Sequence, residues 1–173
     1  MCKFARLWQT PAVLTTSQHR RDPRWRPPAR VTLNAVPAAL RSWLLDERSL
    51  TERLIAASDG HFRVQRLSQR WQSPLLSERR ALGIPDGHWA LVREVALLCH
   101  ESPWVYARSI IPATTLTGKL RRLRRLQNES LGAMLFQQPG LTREAFELAL
   151  LPPRSRYIHP GLRQDEPAWA RRS

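Results

Sequence analysis

Acidic residues are scarce in this chain: 14 Asp and Glu stand against 28 Lys and Arg, a formal net charge of +14 over 173 residues. The deficit is uneven. Residues 1–30 carry seven basic side chains and one acid, residues 152–173 carry five and two, and residues 31–151 carry sixteen and eleven. Most of the excess therefore lies on two Pro-rich ends, and the moderately basic centre suits an anionic metabolite as well as it suits nucleic acid. Cysteine is almost missing. Cys2 and Cys99 allow no disulfide framework and no metal knuckle; Cys99 lies in an apolar run as a small core residue, and free thiols fit a reducing compartment. The seven glycines form neither a GxGxxG turn nor a phosphate loop, no Gly-x-Ser-x-Gly elbow occurs, and the five histidines are scattered without zinc-site spacing. Those absences point to cofactor-free chemistry or to pure binding. No apolar run approaches the roughly 18 residues of a membrane span.

Near the N-terminus, Arg20-Arg21 lacks the apolar region of a twin-arginine signal, because Asp22-Pro23-Arg24-Trp25-Arg26-Pro27-Pro28 follows. Residues 1–30 are expected to be a disordered, basic, Pro-rich extension, with a transit-like leader over 1–21 as the alternative, and 31–173 a single domain. The expected address is the cytoplasm and the expected state a monomer.

What is present is a change of period along the chain. Pro37 opens a helical pattern with Leu40, Trp43 and Leu44 on one side. Ser49 and Glu52 have capping-box spacing and predict a second short helix ending at Ser58-Asp59-Gly60. Phe62 and Val64 then alternate with Arg63 and Gln65 as in a half-buried strand, and the alternation slips near Leu67, as at a bulge. Residues 74–87 read as a connection with one helical turn. Trp89 to Cys99 is the strongest strand, and Trp104 to Ile111 follows across a link short enough for an antiparallel hairpin. Thr114 to Gln138 has helical spacing in two pieces divided around Asn128-Glu129-Ser130, and Leu141 to Leu151 alternates at Phe146, Leu148 and Leu150. Helices around hairpin-linked strands predict an α+β domain with a mainly antiparallel sheet.

The most informative residue is Arg93. On a pleated strand it shares a face with Trp89, Leu91, Val95, Leu97 and Cys99. A guanidinium on that face is expensive to bury unless an anion or several acceptors meet it. It is either a clamp for a substrate carboxylate, a partner of a core acid, or an arginine at a sheet edge. Glu94 points to the opposite face. Arg108 joins the same pocket only if its face coincides with that of Arg93; otherwise it is solvated or structurally paired. In Lys119 to Leu126, leucines recur at positions 120, 123 and 126, which predicts a packed stripe with a solvated basic face, and a nucleic-acid patch as the rival reading.

Four pieces resemble the chorismate pyruvate-lyase family, in its order and approximate spacing: Trp43 to Leu54, Val92-Arg93-Glu94-Val95, Pro103 to Pro112, and Ser130-Leu131-Gly132 with Leu135-Phe136. Trp169-Ala170-Arg171-Arg172-Ser173 is similar to the family's Trp-x-Arg-Arg-Ser motif. The resemblance implies a lyase that splits chorismate into 4-hydroxybenzoate and pyruvate, without cofactor or metal, on the route to ubiquinone. It implies that Arg93 binds the ring carboxylate, that the Leu131 amide assists it, and that Leu50, usually Met in the family, lines the pocket; Leu and Met have similar volume. The family also carries a glutamate on a strand beyond this motif, so the resemblance implies last strands that this chain lacks, a catalytic residue left unknown, and doubtful turnover. Placing Arg154-Ser155-Arg156 on the motif instead would offer Glu166 for that role, against which Pro167 argues. The rivals are a basic nucleic-acid-binding protein and a non-catalytic ligand-binding domain of the same fold.

Overall fold

The computed structural model describes residues 22–136, 140 and 142–173. Residues 1–21 of the expected extension, where the alternative leader and Cys2 fall, and the ends of two expected segments at 137–138 and Leu141 lie outside the described residues. By contacts the chain divides into two compact units, Thr51–Pro139 and Met1–Leu50 with Gly140–Ser173.

In the first of these units, β1 (Phe62–Gln72), β2 (Ala90–Cys99) and β3 (Ser102–Pro112) form an antiparallel sheet in the order β1-β2-β3. The apolar run takes the centre, and all ten of its residues are buried, because both faces of a central strand are covered. Trp89, expected within the strand, stands just outside it and is 61% exposed. His100 and Glu101 make the tight turn to β3, both at positive φ of 48° and 61°, as a type I′ hairpin requires. The expected bulge is present: pairing shifts between Arg66 and Ser68, leaving Leu67 extra. One extra residue reverses the face of everything after it. Gln69 thus stands opposite Arg93, and Ser68 opposite Glu94.

The Arg93 face is covered by a 3-10 helix over Gly118–Arg125 and by helix Leu131–Phe136. Leu91 and Ile111 from the sheet pack with Leu116, Leu123 and Leu126, and Leu120, Leu131 and Met134 lie against them. The leucines spaced by three are a 3-10 signature, since side chains at i and i+3 eclipse in that helix; Arg121, Arg122, Arg124 and Arg125 face outward, exposed. Helix Leu50–Ala57, which bridges the boundary between the units, sends Leu54 into the core at 1% exposure. Ser58 ends it through an Oγ bond of 2.8 Å to the Leu54 carbonyl, and that oxygen also meets Cys99 Sγ at 3.9 Å. Cys99 is buried, as expected, and burial pushes its thiol up. The connection before β2 holds more helix than expected, Leu76–Leu82. It starts where Glu78 Oε2 accepts from Leu75 N at 2.7 Å and stops at Gly83, whose φ of +61° suits glycine.

The other unit contains helix Ala38–Leu45, opened by Pro37, and an antiparallel pair, β4 (Glu147–Leu151) with β5 (Ala168–Arg172). Arg26 exchanges both backbone hydrogen bonds with Leu148, at 2.9 and 2.8 Å. The expected alternation fails at Leu150, which is 49% exposed while Leu148, Ala149 and Leu151 are buried. Burial crosses from one face of β4 to the other within the strand. Arg172 returns to Glu147 at 2.7 Å, and the Arg171 guanidinium donates to the backbone carbonyls of Leu44 and Asp46.

Candidate active site

The two charged residues of the buried strand are adjacent in sequence, so they project from opposite faces. Their surroundings differ completely. Glu94 Oε1 accepts from Tyr106 Oη at 2.5 Å and from Arg108 Nη1 at 3.0 Å, while Oε2 accepts from Ser68 Oγ at 2.5 Å. Arg108 Nε adds Glu78 Oε1 at 2.7 Å. Burial alone would raise the Glu94 carboxyl, but the bonds from Ser68, Tyr106 and Arg108 hold it below the ordinary range. Burial and the Glu94 carboxylate push the Tyr106 phenol up. Glu94, Arg108 and Glu78 thus neutralise one another on this face.

Arg93 has none. It is 2% exposed, and among the described residues it forms no ion pair. Its Nη2 donates to the carbonyls of Gln127 at 3.0 Å and Glu129 at 2.7 Å. Its Nε is buried without a protein partner. Burial, reinforced by the charge of Arg66 and opposed by Glu129, lowers its pKa from the ordinary arginine value, yet a guanidinium remains protonated in water at neutral pH. Neither an internal acid nor a sheet edge accounts for it: the strand is central and the nearby acceptors are neutral carbonyls. Burying a cation with a donor left over is costly unless an anion or further acceptors meet it. Arg108, by contrast, is a structural partner, and its face does not coincide with that of Arg93.

The segment between the two covering helices frames this cation. Arg66 N donates to Asn128 Oδ1 at 3.0 Å, and Gln69 Nε2 to the Arg124 carbonyl at 2.7 Å. Ser130 Oγ accepts from Ala133 N at 3.2 Å and meets Thr51 Oγ1 at 2.9 Å. Leu131 follows as the first helical residue, where the N–H lacks an intrahelical acceptor. The Glu129 bond thus brings the approach to Leu131 up to Arg93. Leu50 is the half-buried first residue of its helix and is grouped with the other unit. Glu166 Oε2 is buried without a protein partner, also in that unit. A cavity of about 500 Å³ lies there too, between Arg26, Leu148 and Trp169 among others; Arg93, Leu131 and Leu50 do not line it. Sequence reasoning missed Gln69. The slip at Leu67 was the available signal, because counting past it changes which residue faces Arg93.

A three-stranded antiparallel sheet with helices packed on it, beside a two-stranded sheet, defines the class as α+β. Comparison with known proteins sharpens this class. The family model "Chorismate lyase" matches residues 21–173, and the chain belongs to that family. A protein of Pseudomonas aeruginosa named "Probable chorismate pyruvate-lyase" is 40% identical over 144 residues, covering 82% of this chain and 78% of its own length. Its namesake in Methylococcus capsulatus is 40% identical over 138 residues, 78% of this chain and 84% of the relative. A "Probable chorismate pyruvate-lyase 2" of Pseudomonas fluorescens is 36% identical over 156 residues, 90% and 83% respectively.

Proposed function

We propose that this chain binds chorismate and splits it into 4-hydroxybenzoate and pyruvate, a reading supported by the name "Probable chorismate pyruvate-lyase" that its relatives carry. The supporting observation is Arg93, buried, without an acid, and with Nε lacking a protein partner. Arg93 anchors the ring carboxylate, the Leu131 N–H is the second donor, and Leu50 lines the pocket. The substrate's ring is one elimination from aromaticity: the ring C–O bond to the enolpyruvyl group breaks, a ring proton is lost, and the enolpyruvate that leaves takes up a proton to become pyruvate. Such chemistry asks for positioning and for stabilisation of shifting charge more than for a strong acid or a metal, so the reaction runs without a cofactor. The protein acts as a monomer in the cytoplasm and supplies 4-hydroxybenzoate to ubiquinone synthesis.

The test is pyruvate release from chorismate by the purified chain, before and after exhaustive chelation, beside Arg93→Met. Release that survives chelation and falls at least tenfold in Arg93→Met supports the reading. Binding of chorismate or 4-hydroxybenzoate without release of pyruvate would make it a ligand-binding domain. Binding of neither would overturn the proposal.

A further inference from the structure

Gln69 stands directly opposite Arg93 across β1 and β2. Directly opposed residues project from the same face, with Cβ atoms about 4.5–5.5 Å apart. The extra residue Leu67 puts Gln69 there; continuous pairing would have placed Ser68 opposite Arg93. The orientation of the Gln69 carboxamide is determined by its partner. A backbone carbonyl only accepts, so the group 2.7 Å from the Arg124 oxygen is the Nε2 amide, and the oxygen is the other arm. That Oε1 is buried without a protein partner, as is Nε of Arg93. One acceptor and one donor, both buried and both orphaned, thus stand on neighbouring positions of one sheet face. Buried polar atoms in folded proteins are nearly always satisfied, and this pair is complementary.

A carboxylate answers only half of it. Its oxygens take the Arg93 donor but bring no proton to the Gln69 oxygen. A ligand that also carries a hydroxyl answers both. We propose that Gln69 is a specificity-determining residue of the Arg93 site: its Oε1 accepts a hydrogen bond from a ring hydroxyl, so that the site prefers hydroxylated aromatic carboxylates to unsubstituted ones. The inference rests on Arg93 as the carboxylate anchor, and it deepens that reading by assigning the ligand a second recognised group. Gln69 Nε2 meanwhile holds the 3-10 segment, which keeps Oε1 aimed at the ligand rather than at the backbone.

The experiment is calorimetric titration of the full chain with benzoate and with 2-, 3- and 4-hydroxybenzoate, repeated on Gln69→Met, which keeps length and removes both polar atoms. At least one hydroxy isomer is expected to bind wild type about five- to tenfold more tightly than benzoate, the scale of one neutral hydrogen bond. In Gln69→Met that advantage should shrink below about twofold, with benzoate itself little changed. An advantage that survives the substitution overturns the proposal. So does an equal weakening of all four ligands, which would make Gln69 a brace for the segment only. If wild type fails to bind benzoate and every isomer, the anchor fails and this inference falls with it. Should Gln69→Met not fold, the side-chain amide resonances of Gln69 in the wild type decide instead. They should move with the preferred hydroxy isomer and stay with benzoate; equal movement overturns the assignment.

Discussion

Two arginines on neighbouring strands have been given opposite fates. Arg108 sits between Glu94 and Glu78, at 3.0 and 2.7 Å, and its environment is complete. Arg93 sits on the other face with two neutral carbonyls and an unused Nε. Arg93 is buried and Arg108 half-buried, both project from a sheet, and both cost desolvation. What differs is whether the protein itself supplies the anion. A buried cation that the fold has already neutralised is architecture; one left with neutral acceptors fits the carboxylate anchor proposed above.

The comparison is broken most severely on the structural face. Glu94→Ala leaves Arg108 without one carboxylate in a buried setting and should cost about 3–5 kcal/mol of stability by denaturant unfolding. Its acid dependence has a definite sign. Because the Glu94 carboxyl is held below its ordinary range, the unfolded chain binds more protons just below the ordinary carboxylate pKa of about 4.3. The stabilisation is complete above that pH and is lost as pH falls through the folded value. Glu94→Gln should remove this part of the acid slope, which pH-dependent unfolding would show.

The Arg93 face comes next. Leu123, 2% exposed, belongs to the cover over Arg93, and Leu123→Ala should cost about 2–5 kcal/mol by the same unfolding measurement, for lost burial and the cavity left behind. Arg93→Met should cost less stability than Glu94→Ala, about 1–2 kcal/mol, because it strands two carbonyls and no charge. The smallest effect belongs to the exposed pair of Arg63 and Glu101, 50% and 74% exposed at their side chains. Glu101→Gln should change stability by less than about 1 kcal/mol and leave ligand affinity alone. A large effect there would mean that exposure is a poor guide to these ion pairs.

Much of this was legible in the chain itself, where the signals were local. The apolar run around Arg93 identified the central strand, the slip at Leu67 located the bulge, and Leu120, Leu123 and Leu126 declared their packed stripe. Their spacing of three was the mark of a 3-10 rather than an α-helix, which a broad helical reading passes over. The expectation of one helical turn before β2 undercounted Leu76–Leu82 because Gly83 and Pro85 dominate that stretch. What stayed hidden depends on residues distant in sequence. Glu78 and Arg108 are 30 residues apart, and Arg93 meets the Gln127 and Glu129 carbonyls across 34 and 36. Backbone carbonyls carry no residue identity, so no sequence pattern could announce them as the neutral partners of Arg93. At Leu150 alternation misled for a related reason: burial on β4 depends on what covers each face, and Leu148 is buried where Leu150 on the same face is exposed.

The central claim is that the charge at position 93 awaits a carboxylate, and direct titration of 4-hydroxybenzoate into wild type and Arg93→Met tests it most simply. Saturable binding to wild type that weakens by about 10- to 150-fold in the variant, the scale of a charged hydrogen bond, is the predicted result, with the variant still folding cooperatively. Equal affinity in the two proteins would contradict it.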